Sequence, residues 1–212
     1  MSVDKPAFRS ERPVEEEICQ ILKKTNALEF GAFKLPSGRV TPYYVDLRVI
    51  PSFPDAFHKI SEIYVEAIKR KLGEDRFDRV SGIPIAGMSF SVLVAFHLRK
   101  PFIYVRKSKR LRGRERKVEG VLMPGDRVLL IDDLVTTGLS LERAAKAIRA
   151  EGGVVTDAFV LLDREEGGRE RLAKNRVTLH SVLKMTDVAK RLYEMNVIGE
   201  EELKMILSQT GE

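Results

Sequence analysis

Residues 128–140 of this 212-residue chain read Val128-Leu129-Leu130-Ile131-Asp132-Asp133-Leu134-Val135-Thr136-Thr137-Gly138-Leu139-Ser140. The four apolar residues predict a buried strand, and the two acids follow at its carboxyl end. A Thr-rich turn comes next, and apolar residues then recur at helical spacing until Gly152-Gly153. In open parallel sheets, ligands bind just outside the carboxyl ends of the strands, so this unit is a candidate binding site.

Apolar runs on either side of this unit predict further strands. They cover residues 80–83, 102–105 and 158–162, and they alternate with predicted helices at 88–98 and 140–151. This alternation is typical of an α/β domain in which crossover helices flank a parallel sheet. After Gly168, we expect only small helices.

The N-terminal segment has a different pattern. Residues 14–28 have helical periodicity after Pro13, which is suited to the first position of a helix. Two extended runs, 33–35 and 40–47, flank a Pro36-Ser37-Gly38 turn and predict a hairpin.

The chain is therefore expected to form one domain with its two ends folded over it. We predict a hood of helix plus hairpin over residues 1–50 and a sheet-based core over 51–184, which includes a helix that Gly73 ends. Residues 185–212 should form C-terminal helices, at 185–195 and 200–208, that pack on the core.

Composition narrows the class of protein. The hydrophobic fraction of 43% is sufficient for a core, and no apolar run reaches the ~18 residues of a membrane span. The first residues do not resemble a signal peptide, so a cytoplasmic protein is expected. Cys19 is the only cysteine, which excludes an internal disulfide.

The net charge of +6 is concentrated in one segment. Residues 105–117 contain eight basic residues and one acid, a local charge of +7. Charge confined to one loop fits a small polyanion at least as well as a nucleic acid duplex, which needs charge over a broad face.

The turn after the acidic pair has the chemistry of a phosphate site. The first turn of a helix exposes free N–H groups, and Thr136, Thr137 and Ser140 add hydroxyl donors. Because Asp132 and Asp133 would repel a phosphate, we expect them to accept hydrogen bonds from sugar hydroxyls or to hold water on a magnesium ion. The alternative is a capped turn with both acids on a solvated rim.

The whole unit resembles the signature of the type I phosphoribosyltransferases. Further segments are similar to the orotate-specific members in order and spacing, so the resemblance covers about residues 28–185. These segments are residues 33–39, 41–48, 106–107, 118–120, 161–168 and 179–182. The resemblance implies a parallel sheet flanked by helices with a small N-terminal hood.

The resemblance also implies a reaction. The ribose 5-phosphate of phosphoribosyl diphosphate (PRPP) would be transferred to orotate, which gives orotidine 5′-phosphate and diphosphate in pyrimidine biosynthesis. Mg²⁺ would be carried by PRPP near Asp132 and Asp133, without direct protein ligands. The family implies a homodimer that shares its lid between subunits.

Binding roles follow from the same resemblance. The ribose and 5-phosphate would be held by Asp132, Asp133, Leu134, Val135, Thr136, Thr137, Gly138, Leu139 and Ser140. Thr136 would also lie near the pyrimidine, Arg164 would pair with the orotate carboxylate, and Tyr43 and Tyr44 would close over the base. The alternatives are an exposed ion pair of Arg164 with Glu165 or Glu166, and tyrosines that are only core residues. Residues 83–87 correspond to the diphosphate loop, or to an ordinary βα turn.

Residues 106–117 correspond to the flexible lid. Arg106, Lys107, Arg110 and Arg112 would bind the diphosphate of PRPP. The position of the usual catalytic lysine holds Arg110, so either Arg110 or Lys109 is expected to join Asp132 and Asp133 as a catalytic group. Arginine can supply charge there but cannot donate a proton near neutral pH.

Two other functions remain open at this point. One is a PRPP-sensing regulator that binds nucleic acid through the basic loop or the C-terminal helices. The three acids that begin the last helix, Glu200, Glu201 and Glu202, oppose it, so nucleic acid is not an expected partner. The other is a phosphoribosyltransferase for a different base.

Overall fold

The computed structural model describes residues 13–34, 40–106 and 117–210. Its strands are β1 Leu28–Lys34, β2 Val40–Val45, β3 Arg79–Gly82, β4 Phe102–Val105, β5 Val118–Glu119, β6 Arg127–Val135, β7 Val154–Asp163 and β8 Thr178–Lys184. Its α-helices are α1 Val14–Lys24, α2 Pro54–Lys71, α3 Ala86–His97, α4 Leu139–Ala150, α5 Gly168–Lys174, α6 Met185–Glu194 and α7 Glu200–Leu207.

Six strands form the central sheet, in the order β5-β4-β3-β6-β7-β8. All neighbours are parallel except β5, which runs antiparallel to β4 at one edge. Helices cover both faces, so the predicted α/β architecture is confirmed, with an antiparallel edge strand added to it.

Strand β6 lies in the middle of the sheet because apolar residues on both of its faces are buried. Leu129 and Ile131 belong to the core that α2 and α3 cover, whereas Leu130 belongs to the core that α4 covers. This alternation with a period of two is what a strand between two helical layers requires. The carboxyl end of β6 therefore lies between those of β3 and β7, in the middle of one edge of the sheet.

Strand β6 is longer than predicted. Its pairing with β3 ends at Gly82 opposite Ile131, whereas its pairing with β7 continues to Val135 opposite Asp163. The acidic pair therefore lies within the strand, on the part that has no β3 neighbour. The expectation that the strand ended before the acids was wrong by four residues.

The C-terminal third also differs from expectation, because Thr178–Lys184 is strand β8 and not part of a run of helices. Leu179, Ser181 and Leu183 are buried and alternate with more exposed residues, as in a sheet that is covered on one face. The predicted helices near 185–195 and 200–208 are confirmed as α6 and α7.

The predicted hairpin is confirmed as the antiparallel pair β1 and β2, here called the hood hairpin. Helix α1 ends at Lys24, four residues early, and Asn26 then adopts a left-handed φ of 50°. The turn at residues 36–38 lies outside the described residues. The division into hood, core and C-terminal helices stays a prediction.

Helix α7 holds the hood hairpin against the rest of the molecule. The Thr41 hydroxyl in β2 lies 3.0 Å from Gln209 Oε1, just after α7, and 3.1 Å from the Tyr43 carbonyl oxygen. Within the described ranges, no helix is both long and apolar enough to cross a membrane.

Candidate active site

The turn after β6 forms a small cradle. Gly138 precedes α4 with a left-handed φ of 72°, a conformation that glycine adopts without strain. No side chain of the described residues caps the helix, so none of them occupies the first amide N–H groups, which can bind a ligand. Residues 134–141 and Asp132 line a cavity of ≈ 70 Å³ at this point. The structure thus brings together the residues predicted to bind the 5-phosphate.

Close backbone contact fixes the cradle in place. A Cβ atom on Gly168 would lie 2.5 Å from the Thr136 carbonyl oxygen, and one on Gly138 would lie 3.0 Å from the Gly168 carbonyl oxygen. The Arg164 amide donates to the Val135 carbonyl oxygen at 2.9 Å. The segment after β7 is therefore packed directly on the turn after β6. This contact places Arg164, predicted to bind orotate, next to the predicted phosphate site.

The acidic pair is almost fully buried. Asp132 and Asp133 are 8% and 9% exposed, and the Asp133 amide donates to Asp132 Oδ1 at 3.0 Å. Burial raises the pKa of the Asp133 carboxyl above its ordinary value, because the charged form loses hydration. The expected alternative of two acids on a solvated rim is therefore wrong.

Tyr64, on α2, is a site residue that the sequence did not reveal. Its hydroxyl donates to the Asp132 carbonyl oxygen at 2.7 Å, and its ring is fully buried. Burial holds the pKa of this hydroxyl well above its usual range, so it remains a donor at neutral pH. In the sequence Tyr64 is one member of an apolar helical stripe, and nothing there distinguishes it from a core residue.

The loop at residues 83–87 lies beside the acids. A Cβ atom on Gly87 would be 2.4 Å from Asp132 Oδ1, so only glycine allows this approach. The peptide bond between Pro84 and Ile85 is cis. The predicted diphosphate loop therefore meets the acidic pair, as the order of the strands requires.

Arg164 is buried, at 5% exposure, between two partners. Its guanidinium carbon lies 4.8 Å from the centre of the Tyr43 ring, and Nη2 lies 2.9 Å from Glu166 Oε1. The alternative of an ion pair with Glu166 is therefore correct for the partner but wrong for the exposure. Both side chains are about nine-tenths buried or more. Among the described residues, no acceptor has hydrogen-bonding geometry to Nε or Nη2.

The two predicted base-covering tyrosines occupy different environments. Tyr43 is fully buried and packs on the Arg164 guanidinium, which agrees with the alternative that it is a core residue. Tyr44 is half-buried, and its hydroxyl accepts from Arg48 Nη2 at 2.8 Å. Of the two, Tyr44 is better placed to reach a ligand.

The predicted lid is described only at its base. Arg106 donates its amide to the Lys117 carbonyl oxygen at 3.0 Å, and its Nε lies 3.0 Å from Glu119 Oε1. Glu151, after α4, accepts from the amides of Lys117 and Val118 at 2.8 and 3.1 Å. Lys107, Lys109, Arg110 and Arg112 lie outside the described residues, and their roles stay predictions.

Comparisons with known proteins agree with this geometry. The sequence model of the phosphoribosyl transferase domain matches residues 54–192. The orotate phosphoribosyltransferase of Staphylothermus marinus is 41% identical over 193 residues, which cover 91% of this chain and 93% of that protein.

Two solved structures extend the comparison to the fold. The crystal structure of orotate phosphoribosyltransferase from Aeropyrum pernix has a TM-score of 0.73 and 32% identity, over 83% of this chain and 99% of that one. The Mycobacterium tuberculosis orotate phosphoribosyltransferase in complex with PRPP has a TM-score of 0.65 and 25% identity, again over 83% and 99%.

The domain match covers more than half of the chain, and the similarity in sequence runs over nearly the full length of the Staphylothermus marinus protein. An enzymatic phosphoribosyl transfer is the activity common to these proteins. This chain therefore belongs to the orotate phosphoribosyltransferase family.

Proposed function

We propose that the two substrates of the family's reaction meet at the carboxyl ends of β6 and β7, with PRPP on the turn after β6 and orotate against Arg164. The reaction is the transfer of ribose 5-phosphate to orotate, which yields orotidine 5′-phosphate and diphosphate. The contact between residues 135–138 and 164–168 supports the proposal, because it sets the distance between the two sites.

The observation that carries the proposal is the state of Arg164. A guanidinium buried to 95% with unfilled donors is costly unless a ligand completes it. A planar carboxylate fills two guanidinium donors at once and also balances their positive charge, which a neutral base does not do. Orotate, the pyrimidine base with a carboxylate, matches this requirement.

The 5-phosphate is assigned to the cradle at residues 136–140. Free amides at the start of α4, the positive end of its dipole and the hydroxyls of Thr136, Thr137 and Ser140 all favour a dianion. We assign Asp132 and Asp133 to the ribose hydroxyls, where their charge also stabilises the cationic sugar that develops as the bond to diphosphate breaks.

The acidic pair also fits a magnesium ion that arrives with PRPP. Among the described residues, no group of three or more His, Cys, Asp or Glu side chains could hold a metal ion, so we assign Asp132 and Asp133 to the waters of an ion that PRPP carries. Mg²⁺ keeps several waters and binds through one or two carboxylates together with substrate oxygens. When bound, the ion would neutralise charge on the diphosphate.

The basic lid completes the proposal. We assign Arg106, Lys107, Arg110 and Arg112 to the diphosphate, with Arg110 or Lys109 as the cation that stabilises its developing charge. If Arg110 stabilises the diphosphate only through its charge, Arg110→Lys should retain much of the activity. If Lys109 instead takes the place of the usual catalytic lysine, Lys109→Ala should be the damaging change.

A homodimer is supported by the exposed face of α3. Helix α3 has apolar residues on all of its faces, yet Phe96 is 76% exposed and Val92 is 44% exposed. Ile85, just before the helix, continues this face at 75% exposure. We assign the face to a second copy, because it adjoins the diphosphate loop and would bring a partner's lid near the site. We also propose that the protein is located in the cytoplasm.

The proposal is tested by turnover with orotate, uracil, hypoxanthine and adenine, each with PRPP and Mg²⁺. We expect turnover with orotate only. Arg164→Ala should raise the KM for orotate more than tenfold, because a hydrogen bond to a charged group contributes about 1.5–3 kcal/mol. The KM for PRPP should change by less than about twofold. Equal effects on both substrates would remove Arg164 from the orotate site.

A further inference from the structure

Glu166 occupies the edge of the Arg164 guanidinium. The closest atoms, Nη2 and Oε1, lie 2.9 Å apart, and the two side chains are 6% and 10% exposed. This distance is that of a strong ion pair, yet the contact lacks the geometry of a hydrogen bond. Glu166 therefore compensates the charge of Arg164, while Nε and Nη2 of Arg164 make no hydrogen bond to any described residue.

We propose that Glu166 is a resident counter-ion of Arg164 that competes with the carboxylate of the substrate and thereby limits the affinity for orotate. A buried guanidinium without a counter-ion is strongly unfavourable, so the empty site needs Glu166. When a second carboxylate binds the same guanidinium, two negative charges share one positive charge at low exposure. Part of the binding energy is then lost to repulsion between the two carboxylates.

Glu165, the neighbouring acid, has a structural role in this loop. Glu165 Oε2 accepts from the Thr186 amide at 3.0 Å, and Oε1 lies 3.3 Å from Lys184 Nζ. Glu165 therefore ties the loop to the junction between β8 and α6. Because it has the same charge and lies one residue away, it provides the matched control.

This inference rests on the proposed role of Arg164 as the orotate site. The experiment compares steady-state kinetics of the wild-type enzyme with Glu166→Gln and Glu165→Gln, each also in an Arg164→Ala background. Glu166→Gln keeps size and polarity and removes only the charge. The KM for orotate should fall at least threefold, while the KM for PRPP and kcat stay within about twofold. Glu165→Gln should leave the KM for orotate unchanged.

The variants in the Arg164→Ala background distinguish the proposed orotate site at Arg164 from the proposed counter-ion role of Glu166. If Arg164→Ala does not raise the KM for orotate, the proposed function of Arg164 fails. If it does, and Glu166→Gln still lowers the KM only when Arg164 is present, the counter-ion role is established. An unchanged or higher KM for orotate in Glu166→Gln overturns the proposal, and so does an equal effect of Glu165→Gln.

A binding measurement covers the case in which Glu166→Gln weakens the fold. The free variant should melt at a lower temperature than wild type, because a buried charge has lost its partner. Saturating orotate should then raise its melting temperature by more than it raises that of wild type. An equal rise in the two proteins would contradict competition at Arg164.

Discussion

At the scale of single residues, Asp133 combines a cost in stability with a proposed role in catalysis. Burial raises the pKa of Asp133 in the folded state above 3.8, which is its ordinary value in an unfolded chain. Between these two pKa values, the folded state keeps a proton that the unfolded chain has released. The free energy of unfolding therefore falls as the pH rises through that range, and the full penalty is present above the raised pKa. The same carboxylate is assigned to the ribose.

Asp133→Asn should therefore change stability and activity in opposite directions. At pH 7 the melting temperature should rise, by about 2–4 °C for each kcal/mol of penalty removed in a chain of this size. The turnover number should fall about tenfold or more, which corresponds to roughly 1.4 kcal/mol of transition-state stabilisation. Calorimetry across pH and steady-state kinetics measure the two effects.

The gain in melting temperature should shrink as the pH is lowered, because the wild-type carboxyl then becomes protonated in the folded state. Glu170→Gln, an exposed charge change on α5, is the control and should alter neither quantity. A variant that is less stable than wild type at pH 7 would contradict the raised pKa.

Some of these residues were predictable from sequence and others were not. Asp132 to Ser140 could be placed because strand, turn and helix are adjacent in the chain, and local order determines which groups meet there. Tyr64 contacts Asp132 across 68 residues, and the burial of Glu166 beside Arg164 depends on how the loop after β7 packs. Such contacts are set by tertiary packing, which periodicity does not encode.

At the scale of elements, the base of the lid depends on α4. Glu151 accepts two amides from residues 117 and 118, where β5 would otherwise present unpaired donors at the sheet edge. The helix that begins at the phosphate cradle therefore ends at the base of the lid. Strand β5, with only two residues, depends on this contact and on its pairing with β4.

Glu151→Ala should loosen the lid without unfolding the domain. We expect faster hydrogen exchange at the amides of Lys117 and Val118 and a KM for PRPP raised severalfold, with the KM for orotate little changed. Glu151→Gln, which keeps one acceptor, should show smaller effects. Unchanged exchange at both amides in the alanine variant would show that β5 is held by β4 alone.

The strands that sequence analysis missed are those at the edges. Strand β5 is too short to produce a pattern, and β8 has a mixed sequence in which His180 lies between buried positions. The central strands were recognised because burial on both faces requires runs of apolar residues. Edge strands have no such requirement, since their identity depends on the neighbour with which they pair.

At the scale of the whole molecule, the α3 face is expected to decide the oligomeric state. A stable interface buries roughly 1,200–2,000 Å² in total, and a charge at its centre is costly. Phe96→Glu should convert a dimer to a monomer of 24.0 kDa, as measured by light scattering after size exclusion. Met123→Glu, a matched change at a residue that is 54% exposed elsewhere, should remain dimeric. A dimeric Phe96→Glu variant would place the interface on another face.

The shared lid can be tested by mixing two inactive subunits. Lys107→Ala removes a predicted lid cation, and Asp133→Asn removes a ribose contact, so each homodimer should have low activity. If the lid of one subunit serves the partner's ribose pocket, each heterodimer contains one site with Lys107 and Asp133 both intact. Random association makes half of the dimers heterodimers, so the mixture should recover about one quarter of wild-type activity.

A lid that serves its own subunit predicts a different result. Every site in the heterodimer then contains one of the two changes, and mixing should recover nothing. Adding Phe96→Glu to both subunits provides the control, since a composite site requires the α3 face to hold the two chains together. Recovery that survives Phe96→Glu would mean that the chains associate through a different surface. Recovery that Phe96→Glu abolishes, while Met123→Glu preserves it, would tie the composite site to α3 and to the diphosphate loop that precedes it.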